Sequence, residues 1–350
     1  LAVCCRGRNE KEIQMFLKNR WYVAGLSGDV TDKPLGRKLL GEPVVLYRTA
    51  DGTPVALEDR CCHRQAALSL GDIEGDNLRC GYHGLLFDGA GRCIEVPSQK
   101  AVPPGARVKS YPTQEKQGFL FVWIGDPEAA AAVSPYEHAY LDRSGWTSQT
   151  AQFHAKCNYR LLIDNLLDVT HLTYAHKSTI GAAGVSDAAD VKFERDGEKV
   201  AIDRWMMDIT PAPAHVQATG FNGNVDRWQR IEFIPPGFVW LKVGVAKAGT
   251  GARDGDLSGA LMNRHTLHVI TPETETTSHY FWVNMNETSV SPNQENMIYE
   301  QSVTAFNEDL VILEAQQERW TDTIPTIDLY ADSGGMQARR VLDVLLEAQP

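Results

Sequence analysis

Two short cysteine–histidine pairs constrain this chain more than any other feature. One residue separates Cys61 from His63 and two separate Cys80 from His83, with sixteen residues between His63 and Cys80. The second pair stands in Cys-Gly-Tyr-His-Gly ahead of the apolar Leu85-Leu86-Phe87. Each pair is therefore expected on a loop at the end of strands. The surroundings agree: Val44 to Tyr47 and Pro54 to Leu57 flank Ala50-Asp51-Gly52, a hairpin signature, and Phe87 is followed by Asp88-Gly89-Ala90-Gly91. Residues 20–125 read as a small all-β unit built to present two loops.

Two thiolates and two imidazoles suit either a tetrahedral zinc ion or a Rieske [2Fe–2S] cluster, in which two histidines replace two cysteines on one iron. Structural zinc sites usually pair like ligands, whereas here each loop supplies one of each kind. Two mixed loops can give one iron both sulfurs and the other both nitrogens, so the spacing favours the cluster over zinc. With all four ligand places filled, Cys62, Cys93 and Cys157 read as buried small hydrophobes. Cys4 and Cys5 lie in a start, residues 1–15, expected to be disordered. Seven cysteines, an odd number in a long chain without a secretory h-region, argue against a disulfide framework.

A second constellation follows a compositional break at Asp126-Pro127-Glu128 and its four alanines, which reads as a linker or short helix. Apolar residues from Asn158 to His176 recur at mostly helical spacing and predict one helix carrying Asp164, Asn165, Asp168, His171 and His176. On a wheel Asp164, Asp168 and His171 share a face, but five residues turn a helix by roughly 140°, too far for His171 and His176 to reach one ion. If both bind, the helix must end or widen between them. Two histidines need a carboxylate to complete a facial triad for non-haem Fe(II), and Asp309, on the apolar side of a helix predicted over 297–319, is the best-placed candidate. Packed core histidines are the alternative reading of this pair.

Strand-like runs at Val200–Ile209, His215–Phe221, Trp228–Ile234, Phe238–Val245, His265–Ile270 and Ser278–Asn284 predict an antiparallel sheet, and a last helix is expected over 335–348. Trp205, Met206, Met207, Phe221, Phe233 and Trp240 are candidate pocket walls. The net charge of −11 repels a phosphate backbone, so nucleic acid is not an expected partner. No apolar run approaches the ~18 residues that span a bilayer. A soluble protein of the cytoplasm, without a membrane partner, is expected. No G-x-G-x-x-G follows a strand: Gly249-Thr250-Gly251-Ala252-Arg253-Asp254 fails at the third glycine, so reducing equivalents must come from another protein.

A cluster motif followed by Asn165-Leu166-x-Asp168-x-x-His171-x4-His176 resembles the catalytic α subunit of Rieske non-haem iron oxygenases, and the likeness runs through nearly the whole chain. Phe16 to Ala24, Cys157-Asn158-Tyr159 and Thr271-Pro272-Glu273-Thr274 are most similar to the vanillate and dicamba O-demethylase branch. The resemblance implies an α+β fold: an all-β Rieske domain over 16–127, then a catalytic domain over 128–350 in which an antiparallel sheet grips a long helix (helix-grip, START-like). It implies Cys61 and Cys80 on one cluster iron, His63 and His83 on the other, and His171, His176 and Asp309 on a mononuclear Fe(II). By the same likeness Asp168 bridges a histidine ligand to a cluster histidine of the next subunit in a homotrimer. The D-x2-H spacing favours Asp168 over Asp164 for that role. Asn165 would lie near the iron and His268 would meet a substrate carboxylate or phenol oxygen. The implied reaction takes O2 and electrons from an NAD(P)H-dependent reductase or ferredoxin to O-demethylate or hydroxylate a methoxybenzoate-like aromatic. Ring or methyl hydroxylation, or a Rieske electron carrier, are the alternatives.

Overall fold

The computed structural model describes residues 15–176, 179–181, 189–287, 290–321 and 323–349. The N-terminal segment, with Cys4 and Cys5, lies almost wholly outside the described residues.

Eleven described strands precede residue 125: β1 (Arg20–Leu26), β2 (Leu35–Leu39), β3 (Glu42–Arg48), β4 (Pro54–Glu58), β5 (Asp72–Glu74), β6 (Asn77–Arg79), β7 (Leu86–Phe87), β8 (Cys93–Glu95), β9 (Ser110–Tyr111), β10 (Thr113–Lys116) and β11 (Phe119–Ile124). They form three small sheets, β1-β11-β10, β2-β3-β4-β9 and β5-β6-β7-β8. The expected β3–β4 hairpin is present, its turn tied by Asp51 accepting from the Thr53 N–H at 3.0 Å. β11 is apolar at all six positions because it is covered on both faces. Phe119, Phe121 and Trp123 enter one core, and Leu120, Val122 and Ile124 another.

A single 3-10 turn, Pro127–Ala132, occupies the compositional break, with the Asp126 carboxylate accepting from the Glu128 N–H. Beyond it come β12 (Trp146–Ala155), β13 (Ala189–Asp196), β14 (Lys199–Ile209), β15 (Val225–Ile234), β16 (Phe238–Lys247), β17 (Ala260–Pro272) and β18 (Ser278–Glu287). They make one antiparallel sheet in the order β12-β18-β17-β16-β15-β14-β13. The helices are α1 (Tyr159–Leu167), α2 (Leu172–Ala175), α3 (Pro213–Thr219), α4 (Pro292–Arg319) and α5 (Ser333–Glu347). Among the described residues no helix is long and apolar enough to cross a membrane.

The large sheet is covered on both sides. Its front face, with Ile202, Phe233, Val239, Ile270 and Trp282, shares a core with Leu162 of α1, Leu310 and Leu313 of α4 and Val341 of α5. Its back face, with Phe238, Leu267, Val269, Phe281 and Val283, packs on Trp21, Val23 and Phe121 of the first sheet. The Thr271 hydroxyl donates to the Val23 carbonyl at 2.8 Å across this seam. α4 starts where Ser291 and Gln294 form a capping box with Pro292 in the first turn. Over its 28 residues, about 42 Å at 1.5 Å each, Ile298, Ser302, Ala305, Asp309 and Leu313 form the buried stripe. Asp309 is the one carboxylate on that stripe.

Three sequence expectations need correction. His215–Phe221 is not a strand: residues 213–219 are helical, because Pro213 sets the first turn and Gly220, at φ +69°, closes the last in a left-handed conformation. The helix expected from 158 to 176 stops at Leu167. Of the proposed walls, Met206 and Phe233 lie in the front core, but Met207 is exposed, and Trp205 packs on Trp228, the rings tilted by 32°, behind the sheet. Trp240 packs with Tyr140 and His265, also behind, since alternate residues of a strand point to opposite faces.

Candidate metal centres

The two cysteine loops are built alike. The N–H of Cys61 donates to the Ala66 carbonyl and that of Cys80 to the Leu85 carbonyl, both at 2.8 Å. Each loop turns at the fourth residue after its cysteine, Gln65 at φ +58° and Gly84 at φ +76°. Such a turn suits glycine and strains glutamine. Both cysteines point inward, 2% exposed, into the core of Val45, Leu57, Leu68 and Phe87. His63 and His83 are exposed and their rings lie 4.5 Å apart. The loops thus bring sulfur to sulfur inside and nitrogen to nitrogen outside. Burial pushes the Cys61 thiol up to about 11, with the Cys80 thiol beside it adding to the rise. Two thiols held this way favour a cation that takes both as thiolates. Tyr82, itself exposed, stands 3.8 Å from the His83 ring.

Cys93 and Cys157 are buried as expected, but Cys62 is exposed, because Cys61 takes the inward direction at this turn and its neighbour must face out.

The second group forms where α1 breaks. Asp168 caps the helix in extended conformation, φ −108° and ψ 105°. Its carboxylate accepts from the Thr170 N–H at 2.8 Å and the Thr170 hydroxyl at 2.7 Å. This local bonding competes with helix continuation, and two β-branched residues, Val169 and Thr170, add to the break. The wheel alignment of Asp164, Asp168 and His171 is therefore lost. Asp164 faces α5 and accepts from Arg339 at 2.7 Å.

His171 and His176 flank the one-turn helix α2, with ring centroids 5.2 Å apart. The Nδ1–H of His171 donates to the main-chain carbonyl of Asp168 at 2.6 Å, so the carbonyl and not the carboxylate orients that ring. The Nδ1–H of His176 donates to Glu308 at 2.7 Å, and the Thr179 hydroxyl reaches the same oxygen at 3.0 Å. Both Nε2 atoms are left for Asp309, at 3.4 Å from His171 and 3.1 Å from His176. The three donor groups lie within 4.8 Å of one another. Asn165 donates to the same Asp309 oxygen at 3.2 Å. Burial opposes protonation of His176, but the hydrogen bonds and charges of Asp309 and Glu308 outweigh it and raise its pKa. Two imidazoles with Nδ1 tied back and Nε2 converging on a carboxylate match the donor set of a two-histidine, one-carboxylate iron site.

Sequence reasoning missed Glu308. Adjacent helical residues point about 100° apart, so Asp309 faces both Nε2 atoms while Glu308 reaches round to the far nitrogen of His176. The available signal was an acid beside the candidate ligand. Replacing Glu308 by alanine is expected to weaken Fe(II) binding by about 10- to 100-fold, measured by reloading metal-stripped protein; unchanged reloading would remove its role.

His268 is fully buried on β17. Its Nδ1 meets the Tyr280 hydroxyl at 2.7 Å while Nε2 has no partner. Burial pushes its pKa down to about 3, so the ring is neutral.

Residues 20–112 match the Rieske [2Fe-2S] domain and residues 155–348 the vanillate O-demethylase oxygenase C-terminal domain. The chain is 41% identical over 342 residues to a putative toluene-4-sulfonate monooxygenase system iron-sulfur subunit of Comamonas testosteroni, covering 96% of this chain and 98% of the relative. It is 38% identical over 347 residues to a vanillate O-demethylase oxygenase subunit of a Pseudomonas species, covering 96% of each. The crystal structure of dicamba monooxygenase bound to 3,6-dichlorosalicylic acid superposes with a TM-score of 0.88 at 29% identity, covering 95% of this chain and 98% of that one.

Proposed function

We propose, because this chain belongs to the Rieske non-haem iron oxygenases that carry a vanillate O-demethylase C-terminal domain, that it O-demethylates a methoxybenzoate-like aromatic as the oxygenase component of a multicomponent monooxygenase. Its cofactors are a Rieske [2Fe–2S] cluster and a mononuclear iron, with O2 as cosubstrate. The observation that carries the reading is the convergence of His171 Nε2, His176 Nε2 and the Asp309 carboxylate in a chain that also pairs two buried cysteines with two exposed histidines.

Residues 16–127 and 128–350 divide the work. Cys61, Cys80, His63 and His83 hold the cluster. His171, His176 and Asp309 would hold a mononuclear Fe(II), which would supply O2 activation for insertion of one oxygen atom into a C–H bond, two electrons from the partner protein and two protons taking the other atom to water. Asp168, Thr170 and Glu308 keep the two imidazoles in position, and Asn165 steadies the Asp309 carboxylate. When the oxygen enters an aryl methoxy group, the hydroxylated methyl departs as formaldehyde and leaves a phenol. The exposed His63 and His83 suit electron entry from a separate NAD(P)H-dependent reductase or ferredoxin, and onward passage, with Asp168 of a neighbouring copy as the bridge, toward the iron site of that copy in a cytoplasmic homotrimer. Closed rings of this kind need head-to-tail contacts.

A second reading, hydroxylation of a ring-bound methyl group, is favoured by the 41% identical relative, because toluene-4-sulfonate carries a methyl and no methoxy group. Anaerobically purified protein supplied with NADH and a reductase should release formaldehyde from a methoxybenzoate in step with O2 uptake. Oxygenation of a methylarene without formaldehyde from any methoxyarene would favour the second reading. A colourless zinc protein would overturn both.

A further inference from the structure

A row of polar side chains crosses the front face of the large sheet. Strand register sets Arg204 opposite Gln229, Gln229 opposite Val243 and Val243 opposite Arg264. Arg227 lies one alternation from Gln229 on the same face of β15, opposite Val245. Arg204 is accounted for: it donates to Gln229 at 3.1 Å and to the Val169 carbonyl at 3.4 Å. Arg227 and Arg264 are not. Arg227 is buried whole and Arg264 half-buried, yet the Nε and Nη1 of Arg227 and the Nε of Arg264 are out of solvent without a hydrogen-bond partner, and among the described residues no carboxylate pairs with either.

Buried charges in proteins are ordinarily paired or neutralised. Guanidinium does not take the second route. Burial pushes both arginines down only to about 10, which leaves them charged at neutral pH. The charges that act on Arg227 are those of Arg204 and Arg264, which repel it, and the histidine and asparagine beside them bring no counter-charge. His215, buried on α3, has an unpartnered Nδ1, and burial together with the charges of Arg227 and Arg264 drives its pKa well down. Asn286 has an unpartnered Nδ2.

Arg264 and Asn286 also line a cavity of about 310 Å³, with Met262, Leu261 and Ile298, between the end of α3 and the start of α4; the one acid of its lining, Glu287, is exposed to solvent at the end of β18. That volume admits a single-ring ligand. Deeper on the same face of β17 come Thr266 and His268. The charges of both Arg264 and Asp309 act on His268, so it is near the arginine and the metal ligands alike.

We propose that Arg227 and Arg264, with His215 and Asn286 as neutral donors, bind the sulfonate or carboxylate of a single-ring arene and direct the opposite end of the ring toward His171, His176 and Asp309. Guanidinium forks match the geometry of either oxyanion. The anion supplies the counter-charge that the sheet lacks, which makes this pair, and not His268, the anchor for charge. His268 is left as a neutral hydrogen-bonding partner, through its free Nε2, along the ring. The inference rests on the oxygenase reading for what is oxidised, but the binding step does not require turnover.

Calorimetry on the anaerobic holoprotein tests it with 4-toluenesulfonate, 4-methylbenzoate and the uncharged 4-methylbenzamide. The anions should bind and the amide bind far more weakly. R227M and R264M should each weaken anion binding by about 100-fold, while R227K and R264K, which keep the charge but lose the fork, should weaken it less. Without ligand the methionine variants should melt no lower than the parent, since an uncompensated buried charge has gone. Should they fail to fold, the lysine pair and the anion-to-amide ratio in the parent carry the test. Anions binding no better than the amide, or binding R227M and R264M as tightly as the parent, would overturn the proposal even if the enzyme oxygenates neutral arenes. Tight, arginine-dependent anion binding with no oxygenation of any probe would support it and sink the oxygenase reading instead.

Discussion

Replacing Asp309 by alanine is expected to yield a protein that keeps its red-brown colour, holds about two irons per chain instead of about three, and has no measurable turnover. Asp309 lies on the buried stripe of α4 and is, among the described residues, the one acid whose carboxylate meets both converging imidazole nitrogens. Without it, two histidines remain from a single short segment, too few donors to retain Fe(II) through purification. The cluster ligands stand on separate loops with their own core of Val45, Leu57, Leu68 and Phe87, so the visible spectrum of the cluster should survive. Iron analysis together with that spectrum checks the result. A variant that retained its third iron would move the metal away from His171, His176 and Asp309.

Asp168→Asn should behave differently, retaining all the iron while turnover falls by about 100-fold or more. The Asp168 main-chain carbonyl, which the substitution leaves in place, holds the His171 ring. One carboxylate oxygen is taken by Thr170, and an asparagine oxygen can accept those two bonds. What the variant lacks is a negative charge at a half-buried position next to a ligand, where a cluster histidine of a neighbouring copy would donate. Single-turnover kinetics would separate the outcomes. The prereduced variant should keep its cluster reduced in the presence of substrate and O2, whereas the parent should oxidise it. Rapid cluster oxidation in the variant would exclude a bridging role, and loss of iron would make Asp168 a structural support of the site.

The local order of the chain was readable wherever one interaction dominated. Alternating apolar residues in β14 to β18 and the three-and-four spacing along α4 are short-range patterns, and the folded chain displays both. Reading failed where two short-range signals competed. His215 to Phe221 alternates like a strand, yet Pro213 and Gly220 bracket a helix. The stretch from Asn158 to His176 has helical periodicity, yet the Asp168 carboxylate captures the Thr170 N–H and the helix ends at Leu167, four residues before His171. The conflict between five-residue spacing and a regular helix was itself legible, and the break resolves it.

Cys61, His63, Cys80 and His83 announce their chemistry through spacing alone, since ligand type and loop length are local properties. His171 and His176 are nearly as plain. Which acid joins them is a tertiary question. Asp164, Asp168, Glu308 and Asp309 are all near in sequence to a candidate ligand or are one. Only packing of α4 and α5 against the sheet turns Asp164 to Arg339, Glu308 to His176 Nδ1 and Asp309 to both Nε2 atoms. The arginines of the front face carry no sequence signal at all. Arg227 and Arg264 stand 37 positions apart in the chain, and what sets them apart from the other described arginines is that each has a buried guanidinium nitrogen without a hydrogen-bond partner. A motif records which atoms a metal needs. Whether a charge is paired, and which face of a strand holds it, depends on strand register and long-range burial, which no local pattern encodes.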